Sequence, residues 1–248
     1  MLAHRSREAT RQDIFFVLNC VRDQVGKEVY IANRLDRAAS GLMVLTFSGE
    51  TVSKVHAAMQ DPDSVKEYCA LIRGQPEWDS LNHNVALRDH DKKYHSTRNA
   101  TTAFTRLASF PIEITEPYIP PKDTPLSPDA PAPGSPFARN LTVSLVACRI
   151  HTGRRHQIRR HLKGLGHNIV GDTTYGKGRI NSALRECYGL PRLFLHARKL
   201  RMLHPFTNET LELEDPLPPD LSDFVRRLPC APPPLLAVIR PEVDGEQA

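Results

Sequence analysis

Cysteine is scarce in this sequence and is scattered along it. There are five cysteines in 248 residues, an odd number, and no two of them form a C-x-x-C pair. This spacing argues against a disulfide framework and against a zinc ribbon. Unpaired thiols are typical of a reducing compartment, so we expect a cytoplasmic protein.

Long hydrophobic runs are also missing. The longest apolar stretch near the start, residues 14–21, is interrupted by Asn19 and preceded by Asp13. It is too short to cross a bilayer, and its flanks are wrong for a signal peptide. We therefore expect no membrane association.

Acidic residues are absent between Asp129 and Asp172, although the chain as a whole carries only a mild excess charge of +5. The cations of that stretch, apart from four histidines, are Arg139, Arg149, Arg154, Arg155, Arg159, Arg160 and Lys163. So many cations without a counter-charge predict a surface for a polyanion such as nucleic acid. A basic helix face that only keeps the surface solvated is the alternative.

The hydrophobic fraction of 40% and the length predict one large globular unit or two closely packed lobes. Periodicity predicts helices over residues 13–25, 48–60, 154–163 and 182–188. Strands are expected at residues 29–31, 41–47, 65–72, 141–147, 193–197, 200–204 and 210–213. Eight prolines predict a loop over residues 116–137. We expect an ordered domain over residues 1–220 and a poorly ordered tail over residues 221–248.

Three segments could carry chemistry. Asp36 has an arginine on either side, and a guanidinium next to a carboxylate keeps it ionised, as a nucleophile or base requires; a surface ion pair is the alternative. Tyr68 shares one strand face with Lys66 and is either a core residue or a platform for a nucleobase. In the helix at 154–163, Arg155 and Arg159 share a face, and its N-terminus could hold phosphates or a carboxylate.

Two cofactor classes are disfavoured. The histidines near Arg159 lack H-E-x-x-H spacing and are surrounded by cations that would repel a metal ion, so we expect no metal. Residues 171–176 lack the spacing of a P-loop or dinucleotide fingerprint and are interpreted as a tight turn. We therefore expect no cofactor.

Taken in order, these segments resemble the RluA-type pseudouridine synthase family. Residues 33–42 read NRLDRAASGL, similar to the family's H-R-L-D-R-x-T-S-G-L, and residues 66–70 read KEYCA, similar to K-x-Y-x-A. Residues 152–162 and 166–172 resemble T-G-R-x-H-Q-I-R-x-H-L and G-H-P-I-x-G-D. The match spans residues 21–218, and further segments resemble the branch that modifies uridine 65 of tRNA.

The resemblance implies an α+β catalytic domain with a mixed, mainly antiparallel sheet flanked by helices and loops. It implies an isomerase that converts uridine to pseudouridine in structured RNA, most of all tRNA, without cofactor or metal and as a monomer. An rRNA substrate and a catalytically inactive RNA-binding relative are the alternatives. Family members usually begin with a strand upstream of this start, so we expect that strand to be missing.

The resemblance also implies roles for individual residues. Asp36 would be the nucleophile or ion-pair stabiliser, Tyr68 would stack on the flipped base and relay a proton, and Arg159 would keep Asp36 charged. Ile158 would pack under the base. The cations expected to bind the substrate are Arg34, Arg37, Arg154, Arg155, Arg160 and Lys163.

Overall fold

The computed structural model describes residues 17–88, 96–119, 130–176, 178–229 and 232–233. Its helices are α1 (Val17–Val25), α2 (Gly49–Gln60), α3 (Gln157–Gly164), α4 (Gly178–Tyr188) and α5 (Pro219–Arg226). Its strands are β1 (Tyr30–Ile31), β2 (Ser40–Gly41), β3 (Leu45–Thr46), β4 (Val65–Arg73), β5 (Ser80–Asn84), β6 (Leu87–Arg88), β7 (Thr97–Arg98), β8 (Thr101–Pro117), β9 (Pro136–Ile150), β10 (Leu195–Leu203) and β11 (Thr210–Glu214).

A seven-stranded sheet organises the fold. Its strand order is β11-β10-β4-β9-β8-β5, and β2 pairs with β10. The β2–β10 pairing is parallel and the others are antiparallel, so the prediction of a mixed, mainly antiparallel sheet is confirmed. β4 lies inside the sheet between β10 and β9, and its apolar run from Cys69 to Ile72 is buried.

The expected strand at residues 41–47 is wrong as a single element. Gly41 has φ +106, and a Cβ there would lie 2.2 Å from the Ala197 carbonyl oxygen. Because only glycine fits this close approach, the chain can leave the large sheet after β2. It then pairs again as β3, with β1.

The predicted helix at residues 13–25 begins outside the described residues, and its described part is α1, which ends at Gly26 (φ +67) as expected. The helix predicted at 154–163 starts three residues later, at Gln157, because His156 is left-handed with φ 52. The two strands predicted at 193–204 form one strand, β10, with an irregularity between Ala197 and Lys199.

The loop predicted for residues 116–137 is shorter than expected. β8 and β9 stay paired up to Glu116 opposite Phe137 and Pro117 opposite Pro136. A proline at the end of a strand removes no ladder hydrogen bond, so the prolines at 117 and 136 leave the pairing intact. Residues 120–129 lie outside the described part of the chain.

β5 covers β8 only over residues 101–105, so the rest of that edge of β8 carries no strand among the described residues. Helix α4 lies against it: the Thr115 amide donates to Cys187 Sγ, Tyr188 Oη donates to the Glu113 carbonyl, and Arg179 donates to the Pro117 carbonyl.

The prediction of a poorly ordered tail from residue 221 is wrong for residues 221–229. These residues continue the domain as α5 and the turn after it, and Leu221, Phe224, Val225 and Leu228 are buried in the main core. Their i, i+3, i+4, i+7 spacing is that of an amphipathic helix, and Pro219 stands in its first turn, where proline is tolerated. Residues 234–248 lie outside the described residues.

Two hydrophobic cores lie on the sheet. The larger one joins β4, β8 and β9 to α3, α4 and α5. The smaller one lies under α2, where Val55 and Met59 contact Ala32, Leu200 and Met202. The loop that carries Asp36 runs between these two cores.

Candidate active site

The loop between β1 and β2 holds Asp36 in place through a network below it. The Arg192 guanidinium donates to the Ala38 carbonyl and to Ser40 Oγ, both at 3.0 Å, and pairs with Asp220 at 2.7 Å. Ser40 Oγ also lies 3.0 Å from His196 Nδ1. These contacts join the loop to β10 and α5 and so fix the position of the backbone that carries Asp36.

Arg159 lies between two carboxylates. Its Nη1 donates to Asp36 Oδ2 at 3.2 Å, while its Nε and Nη2 donate to Asp172 at 2.8 and 3.0 Å. Burial works to lower the pKa of Arg159, but the hydrogen bonds and charges of Asp172 and Asp36 outweigh it and raise that pKa. Arg159 therefore stays charged and fixed in direction.

Asp172 is a site residue that sequence reasoning misses. Its side chain is 1% exposed and accepts hydrogen bonds from the Thr174 and Tyr175 amides, both at 2.9 Å. Burial tends to raise its pKa, yet the bonds from Arg159 and these amides lower it. The residue pattern of this segment indicates only a tight turn. One signal is present: Asp172 is the acidic residue that ends the acid-free stretch.

Tyr68 comes from β4 and faces the same side as Lys66. It lines a cavity of about 140 Å³ together with Asp36 and the buried Ile158. This is below the roughly 300 Å³ of ordinary ligand pockets, so the cavity suits a single ring. Burial, and then the charge of Asp36, raise the pKa of the Tyr68 hydroxyl well above its ordinary range. The hydroxyl therefore stays protonated.

His156 also faces Asp36, which the sequence does not predict. Its Nε2 lies 4.0 Å from Asp36 Oδ1, and its Nδ1 lies 3.2 Å from the Tyr175 hydroxyl. The left-handed backbone at His156, uncommon for a residue with a side chain, turns the chain into α3 and directs the ring toward the cavity. Arg159 and Lys163 lie over the Tyr175 ring, 5.1 and 5.4 Å from its centre.

The segment before α3 is fixed by Gln157. Its Oε1 accepts from Thr152 Oγ1 at 2.7 Å and from the Arg154 amide at 3.0 Å. Its Nε2 donates to the Thr101 carbonyl and to Thr102 Oγ1, both at 3.0 Å. With all four hydrogen-bonding positions of this amide used, the wall formed by residues 151–156 has one defined shape.

The cations expected to bind substrate occupy three places. Arg34, Arg154 and Arg155 line the cavity around Asp36. Arg160 and Lys163 lie further along α3, where Arg160 donates to the Arg88 carbonyl at 2.9 Å. Arg37 is exposed on the Asp36 loop, outside the residues that line this cavity.

Neither a metal cluster nor a membrane span is found in the part of the chain that the structure describes. No group of three histidines, cysteines or carboxylates there could hold a metal ion, and none of the described helices is long and apolar enough to cross a bilayer. The cavity is lined by Asp36, Tyr68 and Ile158 together with basic side chains, and Arg159 contacts it only through its hydrogen bond to Asp36.

Comparison with known proteins identifies the family. The family model described as RNA pseudouridylate synthase matches residues 1–163. The chain belongs to this family. It is 35% identical over 221 residues to a Vibrio parahaemolyticus protein named tRNA pseudouridine synthase C, covering 86% of this chain and 82% of that one. A Yersinia pestis protein of the same name is 32% identical over 217 residues, covering 86% and 77%.

Solved structures of the pseudouridylate synthase family show the same fold. Human RNA pseudouridylate synthase domain containing 4 superimposes with a TM-score of 0.57 at 20% identity, over 85% of this chain and 80% of that one. Human RNA pseudouridylate synthase domain containing 1 gives 0.55 at 22% identity, over 88% and 83%. The α+β fold expected from the sequence is confirmed, and the protein is an RNA pseudouridine synthase, an isomerase.

Proposed function

We propose that this pseudouridine synthase isomerises a uridine of tRNA, uridine 65, with Asp36, Tyr68 and Arg159 as its catalytic residues. The observation that carries the proposal is the Arg159 guanidinium, which is shared by Asp172 and by Asp36, and Asp36 lines a ring-sized cavity. The tRNA substrate is supported by the names of the relatives, and uridine 65 by the motif resemblance.

The reaction breaks the bond between uracil N1 and ribose C1′ and forms one between uracil C5 and C1′. Carbon 5 loses a proton and N1 gains one, so atoms and charge balance. Asp36, which accepts a hydrogen bond from Arg159, acts as nucleophile or ion-pair stabiliser when the base detaches. As a carboxylate near the ring, it is also the group suited to accept the proton from C5.

Tyr68 and Ile158 hold the base while it turns. A flipped uracil fits between the Tyr68 ring and the apolar Ile158 side chain, where stacking on the protein replaces stacking on the neighbouring bases of the RNA. Because the Tyr68 hydroxyl stays protonated, it can donate a hydrogen bond to the base but is not suited to abstract a proton.

The basic residues at the mouth position the RNA. Phosphate contacts fix register without reading sequence, which suits cations that lie in and around a cavity. We assign this role to Arg34, Arg154 and Arg155, which line the cavity, and to Arg37, Arg160 and Lys163, which lie outside its lining. A cytoplasmic enzyme fits a tRNA substrate and a monomeric chain, and the four cysteines among the described residues are free thiols, as a reducing compartment favours.

The test is tritium release from bulk tRNA labelled at uridine C5, because isomerisation must expel that hydrogen. We expect release by the native chain and none by Asp36→Asn, followed by mapping of pseudouridine at position 65. Release by Asp36→Asn at the native rate would overturn the assignment of Asp36. Release from labelled rRNA but not from tRNA would overturn the substrate.

A further inference from the structure

A second cavity opens beside the catalytic one. It has a volume of about 370 Å³ and shares four lining residues with its neighbour, namely Arg34, Tyr68, Ile150 and Gly153. Its volume falls within the range of ordinary small-molecule sites. Tyr68 stands between the two cavities, so a molecule in the larger one lies next to the ring held in the smaller one.

The wall of this flanking cavity combines apolar surface with a few polar groups. Ile31, Ala32 and Met59 contribute apolar surface, and His56 and Gln60 from the end of α2 contribute polar atoms at the rim. An unstacked nucleobase is recognised by such a combination, since its faces need apolar contact and its edges need hydrogen bonds.

Lys66 contributes a cation that no neighbour among the described residues neutralises. It lies two residues from Tyr68 on the same face of β4, which is about 7 Å along the strand. Burial lowers its pKa. Among the described residues neither Lys66 nor Arg34 has an ion-pair or hydrogen-bond partner for its side chain. A half-buried ammonium without a counter-charge is costly, so the cavity favours an anionic ligand.

We propose that this flanking cavity binds the nucleotide adjacent to the target uridine, with its base against Ile31 and Met59 and its phosphate on Lys66 and Arg34. The inference rests on the proposed function, since it assumes that the target base occupies the cavity at Tyr68. Because Tyr68 lines both cavities, two adjacent nucleotides of the RNA can occupy them. The RNA is thus bound with two bases unstacked.

The first experiment measures binding of bulk tRNA as a function of potassium chloride for Lys66→Met. The control is Lys54→Met, which removes the same charge from α2 at a side chain that lies over the Phe206 ring, outside the cavity. We expect Lys66→Met to weaken binding three- to tenfold and to reduce the salt slope by about one. Lys54→Met should stay within about twofold of the native protein. Native affinity and slope for Lys66→Met would overturn the inference.

The second experiment tests the base. In an RNA whose target uridine has been mapped, the nucleotide before or after it is replaced by an abasic ribose. We expect one of these two substitutions to weaken binding by the native protein about tenfold. Ile31→Ala should lose less than about threefold from the same substitution, because its cavity no longer holds the base. Unchanged binding of both abasic RNAs would overturn the base contact.

The proposed tRNA activity and the proposed flanking site can be refuted independently of each other. Tritium release by the native chain together with native binding by Lys66→Met would remove the flanking site and leave the isomerase. A binding loss confined to Lys66→Met without tritium release would leave the flanking site and remove the proposed tRNA activity. The thermal midpoint of each variant is measured first, so that a misfolded protein is not counted as a binding loss.

Discussion

The pair between Arg159 and Asp172 predicts what Asp172→Asn will do. Asparagine keeps the shape of the Asp172 side chain but removes its negative charge. The Asp172 carboxylate accepts two hydrogen bonds from Arg159, whose side chain is only 8% exposed. Breaking one side of a buried ion pair costs about 3–5 kcal/mol, because the remaining charge stays buried. Arg159 keeps Asp36 as a partner, so we expect the lower end, about 3 kcal/mol. In a chain of this size that lowers the melting temperature by roughly 6–12 °C.

The same substitution should affect catalysis through position. With one anchor removed, Arg159 holds Asp36 less well, and we expect kcat to fall about 10- to 100-fold with tRNA affinity within about twofold. Calorimetry, tritium release and filter binding on one preparation give the three values. Asp223→Asn is the matched control, since Asp223 pairs with Arg226 at 3.2 Å but is 58% exposed. We expect it to cost less than about 0.5 kcal/mol. A similar loss for both variants would refute the argument from burial.

The remaining predictions concern the titration of Asp172, the close approach at Gly41 and the removal of Arg159. In the folded protein the pKa of Asp172 lies below its ordinary 3.8. The stability that the Asp172 carboxylate contributes is therefore complete above pH 3.8 and is lost as pH falls through the folded pKa. In urea unfolding, the free energy of unfolding should fall less between about pH 6 and about pH 3 in Asp172→Asn than in the native chain. Gly41→Ala places a Cβ 2.2 Å from the Ala197 oxygen at φ +106, and we expect a loss of about 3 kcal/mol in urea unfolding; a loss below about 1 kcal/mol would contradict the close approach. Arg159→Ala should lower kcat by about 10²–10³ while tRNA affinity falls less than about fivefold, and equal falls in both would argue against its pairing role.

The features that can be predicted from the sequence are those that depend on residues close together in the chain. The alternation around Tyr68 indicates the correct strand and face, and the acid-free stretch leads to the helix that carries Arg159. It cannot predict the role of Asp172, since its pairing with Arg159 depends on how a turn folds back across 13 residues. It also misses the support of the Asp36 loop by Arg192, because 154 residues separate Arg192 from Ala38.

Proline is a misleading signal for the loop predicted at residues 116–137, and it does not interrupt the chain at α5 either. Its lack of an amide hydrogen matters only where that hydrogen would be bonded. Pro117 and Pro136 stand at strand ends and Pro219 in the first turn of a helix, so none of them breaks an element. The buried residues of α5 form a visible apolar stripe in the sequence, and this stripe is a stronger indicator of structure than the prolines around it.

The contacts of α4 along β8 have a consequence for self-association. Residues 113, 115 and 117 have the same parity along the strand, so their backbone groups point to the edge that β5 leaves bare. Tyr188, Cys187 and Arg179 bond to the Glu113 carbonyl, the Thr115 amide and the Pro117 carbonyl, and Pro111, of the same parity, has no amide hydrogen to offer. A second chain therefore finds the row of donors and acceptors interrupted along residues 111–117, which hinders the addition of a strand. This long hairpin is protected against edge-to-edge aggregation by a helix that also belongs to the core.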